Sequence, residues 1–305
     1  MTALDDAAVL DALDAALVGR RRELELLAAS LAADRHVLLE GPPGTGKSTM
    51  LREVAAAAGT GFVFVEGNAE LTPARLAGQF DPSRVLEEGY TPDVFVDGPL
   101  VEALRSGALL YVEELNRVPE ETVNLLISVM SEGELHLPRI GRISAAAGFR
   151  LVAAMNPFDN IGTARVSGAV YDRMCRIAMG YQSRDDEDGI VDRRTTSADP
   201  LLLRRAVLVT RGTRNHSDVR VGSSVRGAID LVEVAGRLAG IRNTTVTDPE
   251  IGLDAALVSL SGRIRLHESG DRQPEDVIRD LWSQVLAAEN PADPADDDSG
   301  KVIAP

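Results

Sequence analysis

Five short apolar runs mark the chain before residue 182: HVLLE at 36–40, FVFVEG at 62–67, ALLYVEE at 108–114, FRLVAAMN at 149–156 and CRIAMGY at 175–181. Each is too short for a helix and rich in the aliphatic and aromatic residues of buried strands. Between them lie segments of helical pattern. Residues 4–33 are Ala- and Leu-rich with acids and Arg interspersed, which predicts helices broken near Val18 and Gly19. Residues 50–58 and 100–106 read as helices, and 118–132 as a helix with Pro119 in its first turn. Residues 80–99 are turn-rich, and ELHLPRIGRIS at 134–144 alternates about Ile140 and Gly141, as a β-hairpin does. Strands alternating with helices predict an α/β class, with a parallel sheet covered on both faces.

After Tyr181 the pattern changes. QSRDDEDG at 182–189 reads as a polar linker, and 201–286 as mainly helical segments punctuated by Gly212, Gly222 and Gly240. From Asn290 the chain is rich in Pro, Asp and Ala, a composition that predicts disorder. The expected organisation is an αβα core over 1–182, a smaller helical lid domain over 183–288 and a disordered acidic tail over 289–305. No internal repeat is visible.

Composition narrows the function. With 305 residues, 44% hydrophobic and 26% charged, the chain is ordinary globular material. A net charge of −15 argues against a general basic field for nucleic acid, leaving only a local basic channel open. The single cysteine, Cys175, forms no intrachain disulfide and suits the reducing cytoplasm; it reads as a small buried apolar residue. MTALDDAAVL has no basic n-region and does not read as a secretory signal, and no apolar run approaches the roughly 18 residues of a membrane span. Four scattered histidines suggest no zinc site. Lysine occurs only at Lys47 and Lys301.

Lys47 sits in Gly41-Pro42-Pro43-Gly44-Thr45-Gly46-Lys47-Ser48, followed by Thr49, which matches G-x-x-x-x-G-K-[ST] between a strand and a helix. The glycines let backbone amides approach a phosphate closely, and the following helix N-terminus favours the anion. Lys47 is expected to reach the β and γ phosphates of ATP, and Ser48 to offer its hydroxyl to Mg²⁺. The bland alternative is a chance match in a Gly-rich turn, of order one in several hundred. Such a loop needs a second strand carrying acid to the metal and to the attacking water. ALLYVEE ends in Glu113 and Glu114: Glu113 is expected near Mg²⁺ through a coordinated water, and Glu114 to orient the water that attacks the γ-phosphate. Two adjacent carboxylates are tolerable there because a dication and Lys47 offset their repulsion.

GPPGTGKS, YVEELNRVP and AAMNP, in this order, resemble the AAA+ ATPases. LLYVEELNRVPEETVNLLISVMSEGEL with GFRLVAAMNP resembles the MoxR family within them, over about residues 18–281. The resemblance implies a P-loop AAA+ core with a parallel five-stranded sheet between helices, plus a C-terminal helical lid. It assigns Asn156 to sensor 1, Arg173 to the finger that reaches a neighbouring subunit's γ-phosphate, and Arg226 to sensor 2 on the lid. Arg165 and Arg176 compete for the finger role. Val18, Gly19 and Arg20 match the loop near the adenine, 134–144 the hairpin before sensor 1, and 95–98 the insert of the second helix. The family usually has Asp-Glu where this chain has Glu113-Glu114, a departure that bears on metal–water geometry and on the rate of hydrolysis but is not expected to abolish it. A homo-oligomeric ring, taken as a hexamer, and a protein client, in some cases one with a von Willebrand factor A domain, follow from resemblance alone. Two other classes stay open: a nucleic-acid motor and a slow, nucleotide-controlled scaffold. Magnesium chelatase subunits are close cousins of this family. Arg139 and Arg142 read as solvated, and Phe95 and Trp282 as packing residues.

Overall fold

The chain opens with α1 (Ala7–Ala16) and α2 (Arg21–Ala32), enters β1 (His36–Glu40), and leaves the following loop through α3 (Lys47–Ala57). After β2 (Phe62–Glu66) come α4 (Pro73–Ala77), β3 (Gly78–Phe80), α5 (Pro82–Glu88) and β4 (Phe95–Asp97). α6 (Pro99–Ser106) leads to β5 (Leu109–Glu113), α7 (Glu120–Glu132), the hairpin β6 (Glu134–Leu137) and β7 (Gly141–Ser144), then β8 (Arg150–Met155), α8 (Gly168–Arg173) and β9 (Met174–Ala178). The remainder is α9 (Arg184–Arg194), α10 (Pro200–Asn215), β10 (Val219–Val221), α11 (Val225–Arg242), α12 (Pro249–Leu260), β11 (Arg265–Leu266) and α13 (Pro274–Glu289). This computed structural model describes residues 6–157, 166–196, 199–268 and 271–289, and the chain divides into two units, Met1–Asp186 and Glu187–Pro305. The expected acidic tail from Asn290 lies outside the described residues.

In the first unit the five apolar runs form one parallel sheet in the order β2-β5-β8-β1-β9. Alternate residues feed two separate cores. Leu38, Leu110, Val112, Leu151 and Ala153 pack with residues of α6 and α7 on one face. Val37, Leu39, Leu109, Tyr111, Val152 and Ala154 pack with residues of α2 and α3 on the other. Both faces being buried, the central strands read as continuous apolar runs rather than as alternation. The order also matters for chemistry. β1 and β5 both flank β8, so the loops leaving all three emerge side by side at the carboxyl edge, where open α/β sheets place ligands.

Several expectations change. Cys175 is exposed, not buried, because β9 is an edge strand with one neighbour. α3 starts at Lys47, and Pro119 is the N-cap of α7 rather than a residue of its first turn. The turn-rich stretch folds as β3, α5 and β4, with Phe80 T-stacked on Phe95 and on Tyr90 at 5.2 and 5.1 Å. Arg139 is not simply solvated: its guanidinium lies 3.9 Å from the Tyr90 ring centroid. QSRDDEDG is no linker; its latter part is the first turns of α9.

In the second unit α10–α13 surround a core that includes Leu202, Val209, Leu231, Ala255, Ile278 and Trp282. β10 and β11 add a short antiparallel pair. Gly212 and Gly240 do not punctuate it; they lie inside α10 and α11. Glu187, 1% exposed, is neutralised by Arg211 and Arg214 at 2.8 and 2.7 Å, as a buried carboxylate must be. Among the described residues no helix is long and apolar enough to cross a membrane.

Candidate nucleotide site

The loop between β1 and α3 is held open by its backbone. Gly44 and Gly46 take φ of 74° and 86°, values that strain residues with a side chain. Gly41 is glycine for another reason: a Cβ there would lie 2.1 Å from the Met179 carbonyl oxygen. Its amide donates to Met155 O at 3.2 Å, which pins the loop's first residue between β8 and β9. Thr45 is buried and its hydroxyl donates to Pro42 O at 3.0 Å. Lys47 is buried too, and its Nζ donates to Gly41 O and Pro42 O at 2.8 and 2.9 Å, so the ammonium is folded back under the loop. Pro42 and Pro43 form the outer rim, and Thr49 is exposed on the first turn of α3. No side chain caps α3 at Gly46, so a phosphate suits its N-terminus chemically.

The acid strand meets this loop. Ser48 Oγ donates to Glu113 Oε1 at 2.8 Å, joining the start of α3 to the end of β5 across the sheet. The Tyr111 hydroxyl stands 3.3 Å from Ser48 Oγ; with the Ser48 proton committed to Glu113, the phenol is the donor. Burial raises the Tyr111 pKa, so the donor persists at neutral pH. A hydroxyl and a carboxylate oxygen in contact are the donor set a hard dication takes. Glu114 leaves the strand in the left-handed region, φ 53° and ψ 46°, and its carboxylate pairs with Arg117 at 2.9 Å. The adjacent acids thus have different partners, which relieves their repulsion.

The other expected site residues divide by location. Asn156 follows β8, and its carbonyl accepts from Asn116 Nδ2 at 3.5 Å. Gly19 adopts φ 68° against the Asp186 carboxylate, beside half-buried Val18. Arg20 is buried and held by Glu23 and by Gly180 O at 2.9 and 2.8 Å. Arg173, on α8, donates to Ser131 Oγ and Ala169 O at 2.6 and 3.0 Å. Arg176 is bound to Glu40, and Arg165 lies outside the described residues. Arg226 is exposed on the first turn of α11, in the second unit. The structure therefore joins Ser48, the residue after Lys47, directly to Glu113, and sets Glu114 and Asn156 at the ends of neighbouring strands. Sequence reasoning missed Tyr111, Asn116, Arg117 and Glu40. Only Arg117, three residues after Glu114, carried a local signal.

The chain is similar to several known proteins. The family described as the AAA domain, dynein-related subfamily, matches residues 36–174. The gas vesicle ATPase GvpN1 of Halobacterium salinarum is 30% identical over 234 residues, covering 72% of this chain and 67% of the relative. YeaC, an uncharacterized protein of Bacillus subtilis, is 27% identical over 300 residues, covering 88% of this chain and 90% of its own. Among solved structures, a point mutant of Thermotoga maritima RuvB shares the fold with a TM-score of 0.54 at 18% identity, covering 79% of this chain and 70% of that one. The chain belongs to the AAA ATPases. It is a nucleotide-binding ATPase on the P-loop AAA fold.

Proposed function

We propose that this is a MoxR-like AAA+ ATPase that hydrolyses Mg·ATP and uses the cycle to remodel or mature a partner protein. The observation that supports the reading is the 2.8 Å Ser48–Glu113 bond, which joins the lysine-bearing loop to the acid-tipped strand. In it, the loop amides and Lys47 hold the phosphates, Lys47 exchanging its two carbonyl partners for phosphate oxygens. Ser48 and Glu113 hold Mg²⁺, which would supply charge neutralisation on the β and γ phosphate oxygens. Glu114 turns from Arg117 to orient the attacking water, and Asn156 steadies that water from the next strand end. Val18 and Gly19 border the base. Arg226 on the lid and Arg173 of a neighbouring subunit complete the electrostatic clamp on the γ-phosphate. A finger in trans requires a neighbouring subunit; the assembly is taken as a closed ring, a hexamer, with the insert and hairpin acting on a client in the cytoplasm. A client with a von Willebrand factor A domain rests on resemblance to MoxR proteins.

Two variants test the pocket. Lys47→Ala is expected to lose ATP affinity by about 100-fold or more in calorimetry, near 2.7 kcal/mol; tight binding by this variant contradicts the loop assignment. Glu114→Gln is expected to bind ATP, stay assembled and release no phosphate. Capture of proteins on that trapped variant with ATP, followed by mass spectrometry, identifies the client.

A further inference from the structure

The residue just before the phosphate loop is a carboxylate with almost no access to water. Glu40 ends β1 and is 4% exposed, yet no part of the proposed chemistry uses it. Its backbone is fixed twice: its carbonyl accepts from Met179 N at 2.6 Å, and the next amide, Gly41 N, donates to Met155 O. Its side chain is fixed by a single segment further along the chain. Oε1 accepts from the Tyr171 hydroxyl at 2.7 Å, and Oε2 pairs with Arg176 Nε. Tyr171 lies on α8 and Arg176 on β9, on either side of Arg173. A buried carboxylate needs such partners, but a purely structural one could have drawn them from anywhere. Both come from the short stretch that carries the proposed finger.

We infer that Glu40 is a positioning residue, a strut that sets the place of Arg173, through Tyr171 and Arg176, relative to the base of the same subunit's phosphate loop. The inference rests on the trans-finger reading given above. Its physical content is rigidity. The strand ladder fixes Glu40, Glu40 fixes the Tyr171 hydroxyl, and Tyr171 fixes α8 two residues before the guanidinium offered to the neighbour. Burial, then the bond to Glu40, pushes the Tyr171 pKa up to about 12, so the hydroxyl remains a donor at any working pH. Arg176 pairs with a buried carboxylate, whereas Arg173 bonds the neutral oxygens of Ser131 and Ala169 and stands 3.8 Å from the exposed Asp172, so Arg173 exchanges its partners at the lower cost and is the better finger of the two.

The test compares kcat, KM and ATP affinity for the full-length chain, Tyr171→Phe, Arg173→Ala and the double variant, under assembly conditions. Tyr171→Phe removes only the hydroxyl of a partly exposed residue and is expected to fold. It should lower kcat by about tenfold, the scale of a slightly misplaced catalytic group, with ATP affinity unchanged and the melting temperature lowered by a few degrees because Glu40 Oε1 loses its donor. In the Arg173→Ala background it should have no further effect, because the group it positions is gone. Glu40→Gln, whose amide oxygen can still accept from Tyr171, should lie between the full-length chain and Tyr171→Phe. Unchanged kcat in Tyr171→Phe, or losses in the double variant that multiply, overturns the strut while leaving the finger standing. Unchanged kcat in Arg173→Ala overturns the finger reading itself, and the strut with it.

Discussion

Glutamate rather than aspartate at position 113 alters what the strand end reaches. Glu113 Oε1 touches Ser48 Oγ directly at 2.8 Å. Aspartate would be one methylene shorter, about 1.5 Å of bond length, and would leave room for a water between the carboxylate and Ser48 or its metal. If the direct contact holds Ser48 away from Mg²⁺ for part of each cycle, Glu113→Asp should raise kcat several-fold with ATP affinity unchanged; tenfold corresponds to about 1.4 kcal/mol in the barrier. A fall in steady-state phosphate release would mean that the longer side chain is required. The acid pair was legible only beside the phosphate loop, since a strand that ends in solvated acids is common by itself. The left-handed backbone of Glu114 was not. That conformation disfavours residues with a Cβ by roughly 1–2 kcal/mol, and no local propensity announces it. It arises where the chain turns from β5 to meet Arg117.

Among elements, the five sheet strands were readable because each is a short buried run between turn residues. The β3–α5–β4 excursion was not. α5 buries none of its residues and is held by its Asp81 cap and by the Arg84–Glu88 pair, while β3 and β4 meet through Phe80 and Phe95. A helix that buries nothing shows no apolar face, and the Phe80–Phe95 contact joins separate stretches and leaves no period in the sequence. The glycines of the second unit mislead for a related reason. Glycine reads as a breaker, yet inside a helix bundle it can be a place where another helix comes close. Gly252 is such a place: a Cβ there would lie 2.2 Å from the Trp282 ring, which is buried and anchored by its Nε1 bond to Pro249 O at 3.1 Å. Gly240, inside α11, would meet nothing within 4 Å. Gly252→Ala should therefore lower unfolding free energy by about 1–3 kcal/mol through overpacking, and Gly240→Ala raise it by about 0.5–1 kcal/mol. Urea denaturation of the two variants checks both signs. Equal effects would mean that packing does not decide glycine use here.

Over the whole molecule, one chain supplies the loop, the acids and the strand that ends before Asn156 but shows no use for its own Arg173 there. That guanidinium bonds Ser131 and Ala169, neither in the phosphate loop, and remains partly exposed on α8. An arginine that serves a neighbour makes the assembly heterologous, each interface taking a finger from one subunit and a pocket from the next. The molecule's net charge of −15 disfavours close approach of like subunits, so ATP drawing Arg173 across the interface should strengthen association, and salt should assist it when nucleotide is absent. Subunits bearing Arg173→Ala keep an intact pocket; subunits bearing Glu114→Gln keep an intact finger. As a ring, Arg173→Ala alone should keep only a small, measurable residual rate, and Glu114→Gln alone should release no phosphate. Mixed in equal amounts, about a quarter of the interfaces pair an intact finger with an intact pocket, because each interface draws its halves independently from two neighbours. Phosphate release near that fraction of the full-length rate, rising and falling with the mixing ratio, is the expected result. No recovery at any ratio, in a preparation that light scattering shows to be assembled, would leave Arg173 without a role in trans.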